Sequence, residues 1–163
     1  MVQAIYSGHL HVAKWLDSAA CPHDSDPGTW HCERAIEKRR PDLFQWLVDH
    51  GYPFKHTVLE RAIDTHQPRL VQHLLALGQT WPPDAIKSAI RSGSLEMFNC
   101  LLDSGCPSGD RDDTNVKDMI RRGRLDILDA WVAHGRRWNR DECYAYAQRC
   151  MEYEIAQWIR ARN

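Results

Sequence analysis

His9, His11, Cys21, His23, His31 and Cys32 fall within 24 residues near the start of the chain. Imidazole and thiolate are the ligands zinc takes most readily, four at a time around a tetrahedron. Such sites pair their ligands two to five residues apart on one turn or knuckle. Here the close neighbours are His9-x-His11, Cys21-x-His23 and the adjacent His31-Cys32, which fit neither C-x2-C nor H-x3-H. The sequence therefore assigns no metal ligand. A thiol nucleophile needs a base held beside it, and no spacing between Cys100, Cys106, Cys143 or Cys150 and a histidine singles out such a pair. No phosphate-cradling G-x-x-x-x-G-K-[ST], no G-x-S-x-G and no H-E-x-x-H string occurs. No catalytic residue, no cofactor and no enzyme are expected.

Arginine is the chemically unusual component, with 16 Arg against 5 Lys. Six of them (Arg121, Arg122, Arg124, Arg136, Arg137 and Arg140) stand between residues 121 and 140, where Asp126 and Asp129 are the nearby acids. Guanidinium forks match carboxylates and phosphates, so the cluster reads either as a solvated face with local ion pairs or as an acid-binding patch. The net charge of the chain is −1, which leaves no global field for non-specific nucleic-acid binding. Nucleic acid is accordingly the alternative partner and protein the first.

The elements that must carry these side chains are helices. The 163 residues are 43% hydrophobic, enough for a core, and no apolar run is long enough to span a bilayer. MVQAIYSGHL has no basic segment leading into an apolar one, so no export signal is expected. With six irregularly spaced cysteines, this points to an intracellular location, cytoplasmic or nuclear. Val, Ile and Thr together number 21, a poor supply for a β-sandwich.

One pattern recurs six times, in units beginning near Ala4, Ala35, Ala62, Ala89, Met119 and Ala147, spaced by 31, 27, 27, 30 and 28 residues. The opening residue is followed by Ile in five units. Three residues upstream stands Cys32, Leu59, Ile86, Val116 or Tyr144, making one apolar stripe on a first helix. A turn follows at Gly8, Gly93 or Gly123; in units two and three Pro41 and Pro68 come two residues later, where proline suits a helix start. A second helix repeats apolar residues such as Leu43, Phe44, Trp46 and Leu47, and ends at a glycine cap: Gly51, Gly78, Gly105 or Gly135. Trp15, Trp46 and Trp158 share one position and are expected in the core, as is Cys100. Trp81 and Trp138 are expected to pin the loops that follow. A helix pair this short cannot bury its own face, so pairs must stack. The expectation is one all-α array over residues 1–163.

The run from Ala89 to Gly105, with the Gly8-His9-Leu10 step, resembles the ankyrin repeat. The T-P-L-H opening is degraded to Thr57-Val58-Leu59-Glu60 and Thr114-Asn115-Val116-Lys117, and the period falls short of about 33 residues. The Lys14-Trp15-Leu16, Cys21-Pro22 and Gly105-Cys106-Pro107 segments resemble a subtype abundant in large DNA viruses of amoebae and protists. The resemblance implies an ankyrin-like solenoid of stacked antiparallel helix pairs with shortened loops. It also implies a protein partner, a host protein if the source is viral, bound on the concave side without catalysis. Arg160 and Arg162 give the last helix a polar cap. The first unit has none, which raises self-association through that end, or a self-packing spacer, as a further alternative.

In ankyrin-like units the third and fourth positions end the first helix and face the concave side. The resemblance thus implies partner contacts at Tyr6, Glu37, Lys38, Asp64, Arg91, Arg121, Arg122 and Arg149. The third position runs acidic to basic along the chain, so the partner is expected to be basic toward the first half and acidic toward the second.

Overall fold

The computed structural model describes residues 2–19, 28–108 and 112–162, with Asp112 described by its backbone alone. Among these residues it holds twelve α-helices and no strand: α1 (Val2–Tyr6), α2 (Leu10–Ser18), α3 (Trp30–Glu37), α4 (Pro41–Asp49), α5 (Thr57–Asp64), α6 (Pro68–Ala76), α7 (Ala85–Ser92), α8 (Leu95–Asp103), α9 (Asp112–Arg121), α10 (Leu125–Ala133), α11 (Arg140–Arg149) and α12 (Tyr153–Ala161). The chain divides into two compact units, Met1–Pro82 and Pro83–Asn163.

Short turns fold each second helix back on its first. The sequence dictates them through one backbone position. Gly8, Gly93 and Gly123 sit there with φ of 76°, 72° and 65°, as glycine allows. In the other three units the same position is Arg39, His66 or Met151, with φ of 53°, 55° and 60°. A left-handed residue is thus required in every turn, whether or not glycine supplies it. Arg40 and Gln67, before Pro41 and Pro68, hold ψ of 77° and 75°, close to the 81°, 73° and 70° of His9, Arg124 and Glu152 at the same place, so this turn accepts proline at the next residue, and the prolines open α4 and α6.

In the first unit α1 packs on α3 and α3 on α5, while α2 packs on α4. In the second, α7 packs on α9, α9 on α11 and α8 on α10. The expected stripes are what these contacts bury: Cys32, Ala35 and Ile36; Leu59, Ala62 and Ile63; Ile86, Ala89 and Ile90; Val116, Met119 and Ile120. Leu43, Phe44, Trp46 and Leu47 of α4 are buried, as are Met97, Phe98, Cys100 and Leu101 of α8.

Three positions depart from the repeat pattern: Trp15 and Trp158, both expected in the core, and Tyr144. Trp15 is 65% exposed, not core, although it shares its position with buried Trp46. Trp46 stands against His50 and Tyr52, with ring centroids 4.2 and 6.3 Å away, whereas the pair α1–α2 has a neighbouring pair on one side only among the described residues. In α11 Cys143 is buried, as are His31, Val58, Ala85 and Asn115 at the same register, but the stripe residue Tyr144 is only half-buried. Gln148 stands there where five units carry isoleucine, and the buried edge narrows to Cys143 and Ala147. Trp158 is half-buried beneath the Arg162 guanidinium, 4.3 Å from its ring, and Trp81 and Trp138 are half-buried in their loops.

Candidate protein-binding faces

The first helices bury two of every four side chains, and their C-terminal ends emerge to solvent. All eight expected contact residues, Tyr6, Glu37, Lys38, Asp64, Arg91, Arg121, Arg122 and Arg149, are exposed.

In the first unit these ends are laced together. The Arg34 guanidinium lies 4.1 Å from the centroid of the Tyr6 ring, a cation–π contact. Its Nη1 donates to Glu37 Oε2 at 2.9 Å, and Arg61 Nη1 stands 3.7 Å from Glu37 Oε1. Glu33 accepts a hydrogen bond from Thr57 at 3.1 Å. Glu37 is therefore already shared by two arginines, and the acidity expected of this face is partly neutralised on the spot.

In the second unit the corresponding residues are basic. Arg121 and Arg122 both ion-pair with Asp118, Arg122 at 3.1 Å. Burial pushes the Asp118 carboxyl up, but the hydrogen bonds from the two arginines more than offset it and hold it below the usual carboxylate range. Arg91 donates to Ser88 Oγ at 3.1 Å, and the Arg149 guanidinium lies 5.6 Å from the Tyr146 ring centroid. Between α7, α9 and α11 lies a cavity of about 310 Å³, lined by Lys87, Thr114, Asn115, Lys117, Asp118, Arg121 and Tyr146. Lys117 Nζ forms an ion pair with Glu142 across the α9–α11 seam.

Of the expected contacts, Arg121 alone lines this cavity. Lys87 and Lys117 are the residues that position-by-position reading passed over. Their signal was present, because both stand two residues before the unit start, one helical turn ahead of Arg91 and Arg121. Glu33 and Glu60 occupy that place in units two and three, one turn ahead of Glu37 and Asp64.

The arginine cluster is largely consumed by the fold. Arg124 forms a two-pronged pair with Asp126, at 2.9 and 2.6 Å, and Arg136 donates to the Cys106 carbonyl at 2.9 Å and to Ser108 Oγ at 3.3 Å. Asp118 and Asp126 balance it, whereas Asp129, expected to oppose the cluster, pairs with Arg162 outside it. Burial pushes the thiols of Cys32, Cys106 and Cys143 up to about 12, so these three are not thiolate nucleophiles near neutral pH. His31 is buried, with Nδ1 2.7 Å from the Gly28 carbonyl and its ring stacked on Trp30. Among the described residues no group of three or more His, Cys, Asp or Glu side chains could hold a metal ion; Cys21 and His23 lie outside them. No helix among them is long and apolar enough to cross a membrane.

Comparison with protein-family models, with curated proteins and with solved structures found no match to this chain.

Proposed function

We propose that the chain is a non-enzymatic protein-interaction module of ankyrin-repeat type, binding its partner across the exposed ends of the first helices. One observation carries this reading. At all six third positions of the repeat a polar or aromatic side chain stands in solvent, while the residue two places before it (Ala4, Ala35, Ala62, Ala89, Met119 or Ala147) is buried. Stacked helix pairs offer an extended surface rather than an enclosed reaction chamber, so recognition is the use this architecture favours. An intracellular setting suits the free thiols of Cys32, Cys106, Cys143 and Cys150, and a protein partner suits a chain with a net charge of −1 better than nucleic acid does.

The test begins with capture of partners by the full chain, identified by mass spectrometry and repeated with Arg91→Glu/Arg121→Glu. Rim charges act mainly on association. The double variant should bind the captured partner with an on-rate reduced about tenfold or more, while its thermal midpoint stays near that of the wild type. Unchanged association would move the interface away from these helix ends, to the loop aromatics Trp81 and Trp138.

A further inference from the structure

The second unit repeats one charge device. Lys87 and Arg91 sit four residues apart on α7, and Lys117 and Arg121 sit four residues apart on α9. Like charges at this spacing face one another on a helix and destabilise it by about 0.2–0.5 kcal/mol per pair. Helix stability does not account for either pair, let alone for both at one register. The two pairs flank the cavity of about 310 Å³, into which Lys87, Lys117 and Arg121 all project a wall. Tyr146 supplies its aromatic side, with Arg149 stacked behind it. Asp113, Asp118 and Glu142 are the opposing acids, and each already has a partner: Asp118 pairs with Arg121 and Arg122, Glu142 pairs with Lys117, and Asp113 accepts from the Asn139 N–H. Counting these groups together with Lys87, the cavity retains a positive excess.

Resting on the protein-binding reading, we infer that this groove is a carboxylate-reading site for an extended acidic segment of the partner, running across α7, α9 and α11. The spacing follows from geometry. Packed helices lie about 8–10 Å apart, and an extended polyproline II chain has three residues per turn and rises about 3.1 Å per residue, so every third side chain returns to the same face and meets a new helix. The segment therefore carries Asp or Glu at every third position, one of them entering the cavity against Lys87 and Arg121. A nucleic-acid strand fits less well: Asp118 and Glu142 stand in its path, and Arg124 and Arg136, which would have to extend the basic row, are committed to Asp126 and to the Cys106 carbonyl.

The probe is a fluorescent twelve-residue peptide of Glu-Ser-Gly repeats, compared by anisotropy with a peptide of the same composition whose glutamates are contiguous, and with a single-stranded oligonucleotide of equal charge. The wild-type chain should bind the spaced peptide saturably and at least threefold more tightly than the contiguous one. Lys87→Glu/Arg121→Glu should weaken it at least tenfold, and Lys87→Gln/Arg121→Gln by a smaller factor, with helical circular dichroism retained. Arg69→Glu, an exposed reversal on α6, should leave it unchanged. Absence of saturable binding, equal loss in Arg69→Glu, or tighter binding of the oligonucleotide overturns the proposal. A natural protein partner whose capture survives Lys87→Glu/Arg121→Glu overturns the groove assignment too, while leaving the protein-interaction reading standing.

Discussion

Arg124 Nη2 donates to the carbonyl oxygen of Gly93 at 2.6 Å, across 31 residues of chain. Gln67 does the same to the Ile36 carbonyl at 2.7 Å. Both donors occupy the residue just before a second helix, and both reach the turn of the preceding pair. Arg40 lies over Gly8 in the same sense, its Cγ 3.5 Å from where a methyl on that glycine would stand. At Gly93 and Ile36 a side chain thus ties one turn to the next, and the Ile36 carbonyl accepts from the Arg39 N–H as well, at 2.9 Å.

Removing that tie should be measurable. Arg124→Ala is expected to lower stability by roughly 1–2 kcal/mol, the range for a partly buried bond from a charged donor. Asp126→Asn, which loosens the arginine but leaves the Gly93 bond, should cost less. Gly93→Ala introduces a methyl that collides with the Arg124 guanidinium at a φ of 72°. Its penalty should shrink when measured in the Arg124→Ala background, leaving the backbone part. Strict additivity in that urea-unfolding cycle would mean the two residues are not coupled.

The left-handed turn residues give a second expectation. A side chain at this φ costs about 1–2 kcal/mol, from which glycine's own entropic cost of roughly 0.5–1 kcal/mol must be subtracted. Met151 is 73% exposed and loses little packing on truncation. Met151→Gly should therefore raise stability by about 0.5 kcal/mol, with Arg39→Gly similar because Arg39 is also exposed and His66→Gly smaller because His66 is half-buried. A fall in the urea midpoint for Met151→Gly would contradict the argument.

Trp46 and Trp15 share a repeat position but not an environment, with 7% and 65% of their surface exposed. Trp46→Ala should cost about 3–5 kcal/mol as a truncation inside a packed core. Trp15→Ala should change stability by under about 1 kcal/mol. Equal losses at the two sites, read by denaturant unfolding, would mean that Trp15 is buried in solution.

The helical class, the pairing and most of the core were legible because apolar periodicity at 3.6 residues is a local property. The same stripe that marks Leu59, Ala62 and Ile63 in the sequence is the one the fold buries. What was not legible depends on neighbours. Nothing local in Trp15 says that it will stand in solvent where Trp46 is buried, nor in Tyr144 that it will be only half covered. Glu37 reads as a free acid until Arg34 and Arg61 are seen to converge on it. Lys87 and Lys117 gain meaning only when three helices place them around one cavity. The left-handed φ at Arg39, His66 and Met151 was visible only by aligning those residues with Gly8, Gly93 and Gly123.

His134 supplies the pH dependence. Its Nδ1 lies 2.8 Å from the Ala130 carbonyl and its Nε2 lies 3.0 Å from Asp103 Oδ1, so both ring nitrogens face acceptors. Only the doubly protonated ring donates to both, and the bond to Asp103, aided by that to Ala130, raises the pKa of His134 above its ordinary value. A histidine whose folded pKa is raised contributes stability that is complete below its unfolded pKa, about 6.5, and is lost as pH rises through the folded value. The stability difference between the wild type and His134→Gln should thus be largest below about pH 6.5 and shrink as pH is raised beyond it. The pair is surface-exposed, so the maximum is expected to be under about 1 kcal/mol. Asp103→Asn should flatten the same profile, and His134→Gln added to it should bring no further pH dependence. A difference that grows between pH 6 and 8 would show that the neutral ring, not the imidazolium, is what α10 holds against α8.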